Sequence, residues 1–157
     1  MPDNKKTNAM RILEGRGIAF ETSSYEYDQA SSDAVSAAAA LGVEPERVFK
    51  TLVAEDDKHR LYVFCLPGCC ELHMKKAARA AGAKIELVKV KDLFGLTGYL
   101  RGGCSPVGMK KKFPTFVEES ARLYERIYVN AGRQGGQVII APDDLLAACG
   151  GVYADLI

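Results

Sequence analysis

The stretch that most constrains this chain is Gly98-Tyr99-Leu100-Arg101-Gly102-Gly103-Cys104-Ser105-Pro106-Val107-Gly108, followed by Met109 and the run Lys110-Lys111-Lys112. Four glycines and a proline in eleven positions rule out a regular helix or a central strand. Glycine tolerates positive φ and lets another group approach the backbone, while proline fixes φ, removes a donor and pushes Ser105 towards an extended conformation. The segment therefore reads as a shaped loop with main-chain N–H groups able to hold a carbonyl or anionic oxygen. The plainer reading is a tight connection between strands. The remaining sequence decides between them.

Length permits one domain over 1–157 with a real core. A formal net charge of +1 gives no global field towards nucleic acid or an anionic membrane, so any polyanion must be held by a local patch or brought by a partner. The N-terminus, Met1 to Thr7, lacks the apolar core of a signal peptide, and no apolar run approaches the ~20 residues that span a bilayer. Cys65, Cys69, Cys70, Cys104 and Cys149 are odd in number and lack a repeated C-x-x-C spacing. Reduced thiols in a cytoplasmic protein fit this pattern better than a secreted disulfide framework. Cys65, Cys69 and Cys70 followed by His73 suggest zinc, but no second ligand pair follows. The expectation is structural thiols, no metal and no cofactor.

In chain order, Thr7 caps a first helix bearing Ala9, Ile12 and Leu13, which Gly15 and Gly17 end. Residues 18–25 alternate as a strand. Ser31 or Ser32 caps an alanine-rich helix that stops at Gly42. The segment 48–54 is apolar enough for a central strand, with residues 60–66 as its hairpin partner. Lys50 is out of place in such a run unless its ammonium reaches a cleft; the alternative is a lysine snorkelling from the strand edge. A basic helix over 72–81 turns Met74, Ala77, Ala78 and Ala81 inward, and residues 85–90 form a short strand. Strands at 114–117, 126–130 and 137–140 follow, then a helix opened by Pro142 and an apolar tail from Val152. The fold class is mixed α/β (α+β).

Several of these fragments, in this order, resemble the YbaK/EbsC family of aminoacyl-tRNA editing proteins. They are Tyr25-Glu26-Tyr27-Asp28, Val48-Phe49-Lys50-Thr51-Leu52, Lys75-Lys76 with Ala81-Gly82-Ala83-Lys84, the glycine loop from Thr97, and Ile127-Tyr128-Val129-Asn130-Ala131-Gly132. The likeness covers nearly the whole chain. It implies a mixed sheet curled into a barrel with helices around it, and a cleft for the 3′ aminoacyl ester of a charged tRNA. Free-standing members remove cysteine from mischarged Cys-tRNA(Pro) beside prolyl-tRNA synthetase, and relatives clear alanine from Ala-tRNA(Pro).

The resemblance implies that Lys50 is the essential lysine, holding phosphate or ribose oxygens, and that Gly102 and Gly103 offer N–H groups to the ester carbonyl. Tyr25, Thr51 and Ser105 would orient the amino group or ribose, with Cys104 and Pro106 shaping the pocket. Lys110, Lys111 and Lys112 would meet the tRNA, although three successive lysines also describe a solvated edge. Cysteine-specific members are thought to use the substrate's own thiol, so Cys104 is not expected to be a nucleophile. His59 and His73 lie far from it in sequence. Two positions depart from the pattern: Gln137 stands where some cysteine-specific members carry an acid, and Asn130 where some carry a hydroxyl. Both belong with the substrate-binding set and leave the amino-acid preference open. The competing readings are a non-catalytic tRNA- or synthetase-binding module, and a thiol or metal protein built on Cys65, Cys69, Cys70 and His73.

Overall fold

A computed structural model describes residues 6–28 and 34–157. Helix α1 (Asn8–Gly15) starts where the sequence places it, because the Thr7 hydroxyl oxygen accepts from the Met10 N–H at 3.2 Å. The same hydroxyl donates to the Ala131 carbonyl at 2.5 Å, fastening the helix start to the chain 124 residues on. Ala9, Met10 and Leu13 form its buried face. Strand β1 (Glu21–Ser24) is shorter than expected, and α2 (Ala34–Leu41) ends at Gly42, whose φ of 73° suits a residue without Cβ. The proposed caps Ser31 and Ser32 lie outside the described residues.

The central hairpin is β2 (Phe49–Asp56) against β3 (Leu61–Pro67), with β4 (Ile85–Leu87) on the outer side of β2. On the other side β5 (Thr115–Glu118) and β8 (Val152–Ala154) add in parallel, giving the order β4-β2-β3-β5-β8. A second sheet runs β1-β7-β6, from β6 (Ile127–Asn130) and β7 (Gly136–Ile140). A parallel bridge between Val48 and Tyr128 joins the sheets where β2 begins. With α3 (Met74–Ala81), α4 (Val90–Thr97) and α5 (Pro142–Cys149), the described residues form the expected mixed α/β fold of curled sheet and helices.

Strand β3 is buried on both faces. Its Val63 and Cys65, with Phe49 and Val53 of β2, face the small sheet and the glycine loop, packing with Val129, Val138, Tyr99 and Cys104. Phe64 and Leu66, with Ala54, face α3 and Leu156, where Phe64 stacks on Phe116 at 5.4 Å. The period of two in this hairpin thus fills two cores at once.

Three details correct the sequence reading. Met74 is 38% exposed and only Ala77 of α3 is fully buried, because the helix meets the sheet through its smallest side chain. Val90 opens α4 rather than closing a strand: Lys89 takes the extended cap position, and Asp92 sits in the first turn, where a carboxylate favours the helix. The apolar tail is a strand, β8, which the backbone of β5 pairs from Phe116 to Glu118. No helix among the described residues is long and apolar enough to cross a membrane.

Candidate active site

A cleft of about 310 Å³ opens where β2 begins, between the two sheets and the glycine loop. Lys50, Thr51, Tyr25, Gly102, Cys104, Asn130 and Gln137 all line it. Phe49, Leu52, Val48 and Ala37 supply apolar wall, and Gly68 and Arg101 complete the mouth. Among the described residues no Asp, Glu or His contributes to the lining. A larger groove of about 600 Å³ lies at the other end of the β2–β3 hairpin, but most of the residues singled out above gather in the smaller cleft.

Lys50 is half-buried, with its ammonium 3.4 Å from the Gly68 carbonyl oxygen. Thr51, on the opposite side of the pleat, places its hydroxyl 3.7 Å from the Cys65 sulfur. Cys104 is 7% exposed, and burial pushes its thiol up to about 12. At neutral pH it is therefore a protonated, poorly nucleophilic group.

The two amides lie directly opposite each other across the β6–β7 pair. Asn130 is fully engaged: its Nδ2 donates to the Gly102 carbonyl at 2.8 Å, and its Oδ1 accepts from the N–H groups of Gly132 (2.7 Å) and Arg133 (3.2 Å). It braces one glycine turn against another rather than offering a free group to a ligand. Gln137 is the reverse case. It is 4% exposed, and its Oε1 is buried without a hydrogen-bond partner among the described residues. A buried carbonyl left unpaired costs about 1–3 kcal/mol, so this oxygen is an acceptor held ready at the cleft wall.

The glycine loop has the shape its composition demands. Gly102 has φ of 80°, and a Cβ there would meet the Tyr27 ring at 2.8 Å. The N–H groups of Gly102 and Cys104 find no acceptor among the described residues. Gly103 differs from the expectation for it: its N–H already donates to the Leu100 carbonyl at 2.9 Å, and an added Cβ would lie 2.9 Å from the Gln134 backbone nitrogen. It lets the loop pack on the 133–134 turn and does not line the cleft.

Ser105 and Pro106 also lie behind the cleft. Ser105 is buried with its hydroxyl oxygen accepting from the Val107 N–H at 3.1 Å, and Pro106 lines a separate cavity with Cys149. Lys110, Lys111 and Lys112 are outside the cleft as well. Cys69 and Cys70 keep their sulfurs 4.0 Å apart, but Cys65 is buried in β3 and His73 caps α3 through Nδ1. Among the described residues the one cluster within metal-ligating reach is Glu118, Glu119 and Asp155, which contains none of them. Arg101 and Gly68 were not singled out beforehand. Arg101 was legible as the one cation inside the glycine loop, whereas Gly68 enters through its backbone alone.

Residues 28–148 match the family described as "Aminoacyl-tRNA editing domain". The chain is 42% identical over 153 residues to "Putative Cys-tRNA(Pro)/Cys-tRNA(Cys) deacylase EbsC" of Enterococcus faecalis (strain ATCC 700802 / V583), covering 97% of this chain and 93% of that one. Among solved structures it is similar to "a putative trans-editing enzyme for prolyl tRNA synthetase", with 27% identity, a TM-score of 0.82 and coverage of 97% and 98%. It is also similar to a crystallised hypothetical protein, with 26% identity, a TM-score of 0.84 and coverage of 93% and 96%. The cleft, its glycine loop and these likenesses, which run the length of the chain, agree: this protein belongs to the aminoacyl-tRNA editing domain family, as an aminoacyl-tRNA deacylase.

Proposed function

We propose that this deacylase clears cysteine from mischarged Cys-tRNA(Pro), with the substrate's own thiol as the nucleophile and the whole chain acting as one editing domain. The observation that carries the reading is the cleft lining: among the described residues it holds no carboxylate, no imidazole and only a buried, protonated thiol, so the substrate's own thiol is the readiest nucleophile at the ester. An aminoacyl ester is already activated, and positioning with charge stabilisation is enough to speed its cleavage.

In this mechanism the cysteine sulfur attacks its own ester carbonyl carbon. A C–S bond forms, the ester C–O bond breaks, the thiol proton passes to the departing ribose oxygen, and a cyclic thiolactone leaves. The free N–H of Gly102 faces the developing oxyanion, and Lys50 holds the ribose or phosphate oxygens beside it. Gln137 Oε1 accepts from the substrate α-ammonium, while Tyr25 and Thr51 complete the orientation of the amino acid. Asn130 keeps Gly102 in place. The names of the relatives support this substrate, and prolyl-tRNA synthetase is the partner that would deliver it.

The test is deacylation of proline tRNA charged in parallel with cysteine, serine, alanine and proline, with Lys50→Ala as control. Cysteine alone should be lost quickly, and thiolactone or its hydrolysis product should follow. Equal loss of serine or alanine would remove the thiol from the mechanism and give water its role. A folded Lys50→Ala variant with full activity would refute the part given to that lysine.

A further inference from the structure

We infer that the groove at the far end of the β2–β3 hairpin holds the phosphate backbone of the tRNA acceptor arm, an inference that rests on reading the chain as a tRNA deacylase. A cleft of about 310 Å³ takes little more than the aminoacyl end, so the rest of a large polyanion must lie on surface outside it. The groove, of about 600 Å³, is lined by Arg60, His59, Lys110 and Lys111 over a floor that includes Tyr62 and Phe113, and among the described residues by no Asp or Glu. Such a surface suits phosphodiester groups.

Its cations are arranged by the fold. Asp56, buried at the hairpin end, accepts from Arg60 Nε at 2.7 Å and from the Tyr62 hydroxyl at 3.0 Å. That anchors one edge of the guanidinium while its side chain stays 62% exposed. His59, at φ 61° the one left-handed residue other than glycine among the described residues, borders the groove with its Nδ1 3.3 Å from Glu55 Oε2, so the groove's cations are Arg60, Lys110 and Lys111. Lys110 lies against α4, with its ammonium 3.1 Å from the Gly95 carbonyl and over the Phe94 ring. Lys111 is exposed beside it.

The groove and the cleft are built from the same pieces. The hairpin carries Lys50 at one end and Arg60 at the other, and the segment from Gly98 to Phe113 supplies Gly102 to the cleft and Lys110 and Lys111 to the groove. Lys50 and Asp56 are six residues apart on one strand, about 20 Å at ~3.3 Å per residue. Phosphates spaced ~3.4 Å along a stacked strand cover that distance in about six nucleotides. A tRNA whose last residue enters the cleft therefore brings its acceptor arm to the groove. The lysine run expected to meet tRNA contributes through Lys110 and Lys111.

The experiment compares two substrates that share an ester: full-length Cys-tRNA(Pro), and a short 3′-cysteinylated oligonucleotide ending in CCA. Lys111→Glu and Arg60→Gln should each lower kcat/KM on the tRNA tenfold or more at low salt and leave the short substrate within twofold. The slope of log affinity for tRNA against log salt should flatten by about 0.7–0.9 for each contact removed. Lys111→Glu is the safeguard against misfolding, since that side chain is exposed. Unchanged activity on tRNA, or equal losses on both substrates, would overturn the inference. So would a loss seen only when synthetase is present, which would assign the groove to a protein partner. If the wild-type protein deacylated neither substrate, the deacylase reading would fail instead, and tRNA affinity measured on the same variants would still decide the groove.

Discussion

Replacing Asn130 with Asp tests the brace behind the glycine loop with one atom. The substitution keeps Oδ1 for the Gly132 and Arg133 N–H groups but turns the Nδ2 donor into an oxygen, 2.8 Å from the Gly102 carbonyl oxygen. One hydrogen bond worth ~0.5–1.5 kcal/mol is lost, and a buried acceptor left unpaired costs about 1–3 kcal/mol more. Taking about 2 kcal/mol as the part that shifts Gly102 from its working position gives about a 30-fold fall in deacylation rate, at 1.36 kcal/mol per factor of ten. The new carboxyl is buried against a carbonyl and favours its neutral form, so its proton should come on at a higher pH than for an exposed Asp. Once protonated it donates to Gly102 as the amide did. The assay is single-turnover deacylation of Cys-tRNA(Pro) by the variant and the wild type between pH 5.5 and 8. The ratio of variant to wild-type rate should rise as pH falls. A variant within twofold of wild type at pH 8, or a ratio flat with pH, would refute the claim that this amide positions the loop.

Further outcomes follow from single groups. Cys104→Ala should stay within threefold of wild-type activity, because the thiol is buried and protonated; a hundredfold loss in a folded variant would make it the nucleophile. Gly135→Ala should lower the thermal midpoint at least twice as far as Gly42→Ala. Both glycines have positive φ, but a Cβ at Gly135 lies 2.5 Å from the Tyr25 carbonyl oxygen, whereas at Gly42 it meets nothing within 4 Å; equal shifts would refute the steric account. Asp56 should set part of the acid limb of stability. Burial opposes its charge, but hydrogen bonds from Arg60, Lys58 and Tyr62 prevail and hold the carboxyl at about 2, below its ordinary 3.8. Its contribution is complete above about pH 4 and is lost as pH falls towards 2, so Asp56→Asn should flatten urea midpoints measured over that window.

Local chemistry made much of the fold legible. A threonine before an amphipathic stretch, a glycine directly after each of four helices and an apolar hairpin are signals that tertiary contacts had no reason to override. The failures are places where packing decides. Val152 to Ala154 is a strand because β5 offers an unpaired edge, and nothing within three residues announces that. Met74 reads as core by type but sits in the first turn of a helix that packs through Ala77. Of the residues the sequence singles out, Lys50, Thr51, Tyr25, Gly102, Cys104, Asn130 and Gln137 converge on one cleft. Sequence could not reveal which polar atoms the protein itself occupies. Asn130 and Gln137 are both amides on facing strands, yet one is saturated by backbone partners and the other keeps an open acceptor. Gly103 and Ser105 likewise belong to the loop's internal bonding, which depends on how it folds back on residues 133–134 and 107.

The pairing of β1 with β7 also has a consequence for synthesis. Glu21 waits for Ile139, and Ser23 for Gln137, so the small sheet has no partner for its first strand until nearly the whole chain has left the ribosome. The β2–β3 hairpin, by contrast, needs only contiguous sequence and can form early. Lys50 and Thr51 are thus present from the start, whereas the wall bearing Asn130 and Gln137 arrives last. A ribosome-bound chain halted before residue 137 should already carry the hairpin and yet bind no aminoacyl end. The enzyme that proofreads translation would then gain its own pocket only as its translation finishes.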